Sequence, residues 1–206
     1  MEELIEIILH TDDALLGIVA ENILFAYMLL FIIILLETGL IVFPFLPGDG
    51  LLFSAGVVAA STELNVWILF IVLIIAAVLG NLINYSVGKA LGNKIRHSDN
   101  YFTKKYIINY LPRTQAFYDK HGGNAIVFGR FFPIIRTYIP FFAGIVKVEK
   151  NLFIKKTIVG AISWISFFLL LGFFVGEIEW VKNNYGLIFL FLIVITLLPL
   201  LFSLIK

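Results

Sequence analysis

The chain has 206 residues, of which 61% are hydrophobic and only 14% charged, and its mean hydropathy is +1.01. Soluble domains carry roughly 25% charged residues, so composition excludes a water-soluble globular domain and makes lipid the expected solvent. The chain has no cysteine, which excludes disulfides, zinc–thiolate sites and iron–sulfur clusters, and its three histidines lie far apart in sequence, against a local metal motif.

The net charge of +1 hides an asymmetry. Residues 1–88 hold nine carboxylates and no Lys or Arg; residues 89–206 hold all 15 Lys and Arg and the other five carboxylates. An acidic half and a basic half in one membrane chain invite pairing across the halves. The start, MEELIEIILHTDD, is acidic, so no basic-ended signal peptide is expected.

In chain order, 14–36 is expected as a helix spanning the bilayer. The stretch 37–60 contains Glu37, Pro44, Pro47, Gly48, Asp49 and Gly50, and 121–147 contains Gly122, Gly123, Arg130, Pro133, Arg136, Pro140 and Gly144. Proline removes a donor and crowds the preceding turn, so both stretches should break midway into arms of half-span length. Both are read as re-entrant hairpins, the first opening outward and the second inward, with tips near Pro47–Asp49 and Pro133–Arg136 expected to meet near the midplane. They also resemble each other: FPFLPGDGLLFSAGVV and FFPIIRTYIPFFAGIV share a Phe-Pro, a charged centre, a second Pro and an Ala-Gly exit. A repeat of interrupted apolar segments is a pointer to a transporter site.

Between the hairpins, 66–88 is expected as a transmembrane helix and 89–120 as a basic, amphipathic, cytoplasmic segment. Pro112 can open a second short helix there, and Gly122 can close it. After the second hairpin come transmembrane helices over 153–176 and 185–205, parted by Glu177, Glu179, Lys182, Asn183 and Asn184. The positive-inside rule sets 89–120 in the cytoplasm. The expected fold class is thus an all-α integral membrane protein: transmembrane helices plus two opposed re-entrant helical hairpins, an inverted-repeat, transporter-like arrangement in a single membrane domain over 1–206.

Four charges stand out within the apolar stretches: Glu37, Asp49, Arg130 and Arg136. Each costs about 2.5–3.5 kcal/mol at a helix centre on insertion scales, so such residues face cavities and mark pathways. The competing reading is a structural salt-bridge cluster that locks the hairpins together. Arg130 and Arg136 are six apart, about 240° on an unbroken helix, and a break at Pro133 can turn both to one point. Arginine keeps its charge in an apolar site and offers a fork that fits phosphate oxygens. Carboxylates can take or release protons where desolvation favours the neutral form. The set reads as a phosphate clamp, Arg130 and Arg136, beside proton acceptors, Glu37 and Asp49. Asn81, Asn84, Tyr85 and Gly88 share one polar helix face, expected to line the interior cavity with Pro47 and Pro133, although helix–helix hydrogen bonding alone also explains it.

The segments ETGLIVFPFLPGDGLLFSAG, GNLINYSVGKALG, FYDKHGG and GRFFPIIRTYIPFFAG resemble the DedA family, also called the SNARE-associated or VTT-domain family. The resemblance runs from about Leu36 to Gly176, and its most specific part is G-R-F-x-P-x-x-R-T. It implies two membrane-embedded re-entrant hairpins and lipid transport, including return of undecaprenyl phosphate across the bacterial membrane, phospholipid flipping or scrambling, and dependence on the proton gradient. The family's essential acidic pair maps onto Glu37 and Asp49, and its arginine pair onto Arg130 and Arg136. The chain departs from the pattern at Asn81, where the family usually has Asp, and at Lys89, where it has Arg.

The leading expectation is a proton-coupled flippase for a lipid phosphate, foremost undecaprenyl phosphate, in a multi-pass chain of the bacterial inner (cytoplasmic) membrane. The alternatives are a phospholipid flippase or scramblase, a membrane-embedded lipid phosphatase, and a structural or assembly factor. No enzyme activity, catalytic residue, cofactor, metal or nucleic-acid partner is expected. The expected partners are a membrane lipid (polyprenyl phosphate or phospholipid) and protons, with homo-oligomerisation left open.

Overall fold

A computed structural model describes residues 11–40, 48–96, 116, 118 and 120–178. All regular structure among them is helical: α1 Thr11–Glu21, α2 Ile23–Gly39, α3 Gly48–Ser61, α4 Val66–Arg96, α5 Asn124–Gly129, α6 Pro133–Ile145 and α7 Lys150–Ile165, then a π-turn Ser166–Leu170 and α8 Leu171–Val175. Two helical runs, Val66–Gly92 and Lys150–Val175, are long and apolar enough to cross a membrane. Their outward faces carry large apolar side chains, among them Ile71, Ile75, Leu79 and Ile83 on α4 and Val159, Ile162 and Phe174 on the later run. Water would penalise such a surface, and lipid does not.

Local chemistry sets the boundaries. The helix expected over 14–36 is two helices, because Asn22 interrupts it and its Oδ1 accepts from the Phe25 N–H at 3.0 Å, the bond of an N-cap. Asn65 starts α4 in the same way, accepting from the N–H groups of Trp67 and Ile68. α4 does not stop at 88 but runs to Arg96, so the amphipathic segment expected from 89 begins as a continuation of this helix; 97–115 lie outside the described residues. Gly122 takes a left-handed φ of 55°, where its missing Cβ removes the steric penalty.

The break in 121–147 falls where proline demands it. Phe132 is extended, with φ −106° and ψ 110°, and Pro133 opens α6 at a position where its missing N–H costs nothing. α6 ends in a Schellman motif. The Val148 N–H reaches the Ala143 carbonyl at 2.9 Å and the Lys147 N–H reaches that of Gly144 at 3.1 Å, with Lys147 at φ 60° where glycine is usual. The first hairpin's turn, including Pro44 and Pro47, and the expected helix 185–205 lie outside the described residues.

The chain divides into two compact units. Unit 1 comprises Met1–Ile34, Phe45–Ala76 and Ser163–Lys206; unit 2 comprises Leu35–Pro44 and Ala77–Ile162. In unit 1, α3 packs against α1, the π-turn and α8. In unit 2, the core joins Tyr85, Tyr118, Ile126, Ile139, Ala143 and Phe153.

Each unit contains a seam where two helix backbones touch through glycine. In unit 2, a Cβ on Gly88 would lie 2.9 Å from the Phe141 carbonyl carbon and 3.1 Å from its Cα; in unit 1, a Cβ on Gly172 would meet the same atoms of Phe53 at the same 2.9 and 3.1 Å. Facing them, a Cβ on Gly144 would meet Lys89 N at 2.6 Å and Gly88 C at 3.0 Å, and one on Gly56 would meet Phe173 N at 2.8 Å and Gly172 C at 3.1 Å. The Phe-x-Ala-Gly strings 53–56 and 141–144 therefore make matching contacts. Small residues permit this approach where no water drives helices together.

Candidate functional site

All four charges singled out from sequence are buried: Glu37 is 2% exposed, Arg130 4%, Asp49 5% and Arg136 7%. Charges at that depth require partners. Three of the four belong to unit 2 and Asp49 belongs to unit 1.

In unit 2, Glu37 lies in the last turn of α2, and Arg136 lies one turn into α6, set there by the Pro133 start. Arg136 Nη2 donates to Glu37 Oε1 in a buried ion pair. Arg130, in the turn between α5 and α6, donates to two main-chain carbonyls, from Nη1 to Thr157 at 3.1 Å and from Nη2 to Ala77 at 3.3 Å. A Cβ on Gly160 would stand 3.5 Å from Arg130 Cδ, an ordinary contact distance, so α7 packs against this side chain there. The break at 130–132 lets both guanidinium groups turn inward in unit 2, Arg130 onto main-chain carbonyls and Arg136 onto Glu37.

The helix α4 acts as the template for this cluster through a stripe at every fourth residue, Gly80, Asn84, Gly88 and Gly92. Gly80 abuts the end of α2, where a Cβ on Gly39 would meet Gly80 Cα at 3.3 Å. Gly88 and Gly92 abut α6 at Phe141 and Ile145. Between them, Asn84 Nδ2 donates to the carbonyls of Thr38 at 3.3 Å and Thr137 at 2.8 Å, residues adjacent to Glu37 and Arg136. Thr38 belongs to the last turn of α2, whose carbonyls have no intrahelical donors, so Asn84 also caps that helix. Asn81 is buried on the same helix. Tyr85, expected at the cavity, lies in the apolar core, stacked on Phe153 at 4.5 Å with its hydroxyl donating to the Val148 carbonyl at 2.7 Å. An aromatic body with one satisfied polar tip is a packing residue. Pro133 acts through the backbone, by breaking the helix.

In unit 1, Asp49 stands in the first turn of α3, where a carboxylate suits the helix dipole. Its Oδ1 accepts from Trp164 Nε1 at 2.7 Å, and Trp164 is fully buried. Sequence reasoning passed over Trp164. It lies eight residues before Gly172, about 80° away on a regular helix, so periodicity puts it off the glycine face. The π-turn Ser166–Leu170 absorbs one extra residue and brings the offset to about 20°. A cavity of about 770 Å³ also opens in unit 1; its lining includes Glu21 and Glu63 but none of the four buried charges.

Comparison with known proteins places the chain in a family. The VTT domain model matches residues 46–174. Protein DedA of Escherichia coli strain K12 is 41% identical over 95% of this chain and 90% of its own length. The uncharacterized membrane protein Rv0364 of Mycobacterium tuberculosis is 36% identical over 84% of this chain and 75% of its own length. The inner membrane protein YqjA of Escherichia coli strain K12 is 32% identical over 73% of this chain and 68% of its own length. No solved structure matches the chain. A domain match over more than half of the chain, and a relative alike along nearly all of it, make this a membrane protein of the VTT-domain family, the DedA family.

Proposed function

We propose that the protein is a lipid transporter of the bacterial inner membrane that carries a lipid phosphate between leaflets, with undecaprenyl phosphate as the substrate the family resemblance favours. The observation that carries this reading is the buried Glu37–Arg136 ion pair on two proline- and glycine-interrupted segments. A guanidinium fork binds carboxylate and phosphate in the same bidentate manner, so a phosphate can take the place of Glu37 without rebuilding the site. We read the two interrupted stretches as re-entrant hairpins of an inverted repeat. The matching glycine seams support that reading, as do the arms α5 and α6, about 9 and 20 Å long at helical rise.

In the resting protein Glu37 neutralises Arg136. Phosphate displaces the carboxylate, and a displaced carboxylate in a dry site favours its protonated form. Proton uptake from outside is thereby linked to substrate binding, and release inside resets the pair. Asp49 is the second proton-accepting group.

The test is reconstitution in liposomes with labelled undecaprenyl phosphate, with and without a pH gradient. Arg130→Lys and Arg136→Lys should each abolish transport, because a point charge lacks the fork. The double variant Glu37→Gln, Asp49→Asn should lose gradient-driven accumulation. Full gradient-driven transport by that double variant rules out the mechanism. Gradient-independent movement of phospholipids by the unaltered protein would make it a scramblase instead.

A further inference from the structure

Asn84 is fully buried, and both hydrogens of its amide are used on main-chain carbonyls, Thr38 at 3.3 Å and Thr137 at 2.8 Å. This fixes the orientation of the amide, since the reverse would set an oxygen against two oxygens. The side chain is therefore tied one residue from each member of the Glu37–Arg136 pair. Its Oδ1 is buried and has no hydrogen-bond partner. A buried amide oxygen without a donor is uncommon and destabilising in a finished structure, which points to a bond completed by a ligand.

The chemistry of that ligand follows from the sign of the group. The guanidinium groups of Arg130 and Arg136 are donors only. Asn84 Oδ1 is an acceptor only, so it asks for a proton on the ligand. The Thr157 hydroxyl, also buried without a partner, can turn its proton either way and does not discriminate. A phosphate monoester, with a second pKa of about 6, offers charged oxygens to the arginines and one P–OH when singly protonated. A phosphodiester offers charged oxygen and no P–OH.

We infer that Asn84 is a specificity-determining residue whose Oδ1 accepts the P–OH of a lipid phosphate monoester, so that the site takes monoesters and rejects phosphodiesters. The inference rests on the lipid-phosphate reading above and narrows it. The bound species is the monoanion, with its negative charge on the arginines and its proton on Asn84.

The test compares phosphatidic acid, a monoester, with phosphatidylmethanol, a diester of the same acyl chains, binding to the full-length protein in zwitterionic nanodiscs. Glu37 and both arginines remain intact in every arm. Near pH 6 the unaltered protein should prefer phosphatidic acid by about tenfold or more, the scale of an unmade buried hydrogen bond. Asn84→Ala should reduce the preference to about twofold or less. If that variant does not fold, the two lipids on the unaltered protein still decide. Equal binding overturns the inference and leaves the lipid-phosphate reading standing. A preference that grows between about pH 6 and pH 9, as the P–OH is lost, is a response to charge alone and also overturns it. Failure to bind either lipid or undecaprenyl phosphate overturns both readings.

Discussion

The glycine seam of unit 2 permits a quantitative test of how the arginine-bearing helix is held. In Gly144→Ala, the new Cβ would lie 2.6 Å from Lys89 N and 3.0 Å from Gly88 C, and closer still to the Tyr85 carbonyl oxygen. Ordinary contact begins at 3.4 Å, so α6 must lift from α4 by about 0.8 Å to clear the nitrogen alone. The obstructing atoms are helix backbone, which cannot rotate aside as a flexible side chain would. Overpacking of this kind costs about 1–3 kcal/mol, and backbone obstruction argues for the upper end. For a chain of this length about 3 kcal/mol lowers Tm by roughly 6–12 °C. The same displacement strains the Asn84–Thr137 bond and the Glu37–Arg136 pair, so transport should fall with stability. The assay is thermal unfolding in detergent alongside liposome transport. Gly17→Ala is the control, because nothing lies within 4 Å of the added methyl; it should hold or raise Tm, helix propensity favouring Ala by up to about 1 kcal/mol. Gly56→Ala should match Gly144→Ala, since its seam has nearly the same distances. A Gly144→Ala protein within about 1 °C of the unaltered one would refute the argument that backbone contact holds α6 in place.

Three further predictions concern the buried polar groups and the π-turn beside them. Arg136→Gln or Glu37→Gln alone should destabilise the protein by about 3–5 kcal/mol, because each leaves a buried charge without its partner; the double Gln variant should recover most of that loss in a denaturation cycle. Trp164→Phe should cost about 1.5–3 kcal/mol through loss of a donor to Asp49, and should remove the strongly hydrogen-bonded one of three indole N–H contributions to the Raman spectrum. Deleting Phe167 from the π-turn should remove the same signature by turning Trp164 about 100° away.

Much of the fold was legible because membrane solvent imposes simple rules. Apolar run length marked the two long helical runs, and proline placed the break that becomes Phe132–Pro133. The scarcity of charge in apolar stretches singled out Glu37, Asp49, Arg130 and Arg136, all of which are buried. Boundaries were less legible. Asn22 reads with Glu21 as a brief polar step in an apolar run, and only its bond to the Phe25 N–H shows that it starts a new helix. α4 overran its expected end because Lys89 and Lys94 are compatible with a helix leaving the membrane.

Sequence by itself therefore determined the solvent, the helical class and the residues that carry charge, since each follows from composition or from a penalty that any single residue incurs in lipid. Tertiary structure decided the partners. That Glu37 pairs with Arg136, that Asp49 rests on Trp164, and that Asn84 binds two carbonyls 46 and 53 residues away are matters of which helices touch. Contact between helices depends on glycine seams and on the one-residue offset of a π-turn. Neither a glycine's neighbour nor a π-turn leaves a periodic mark in sequence, so tertiary packing alone reveals them.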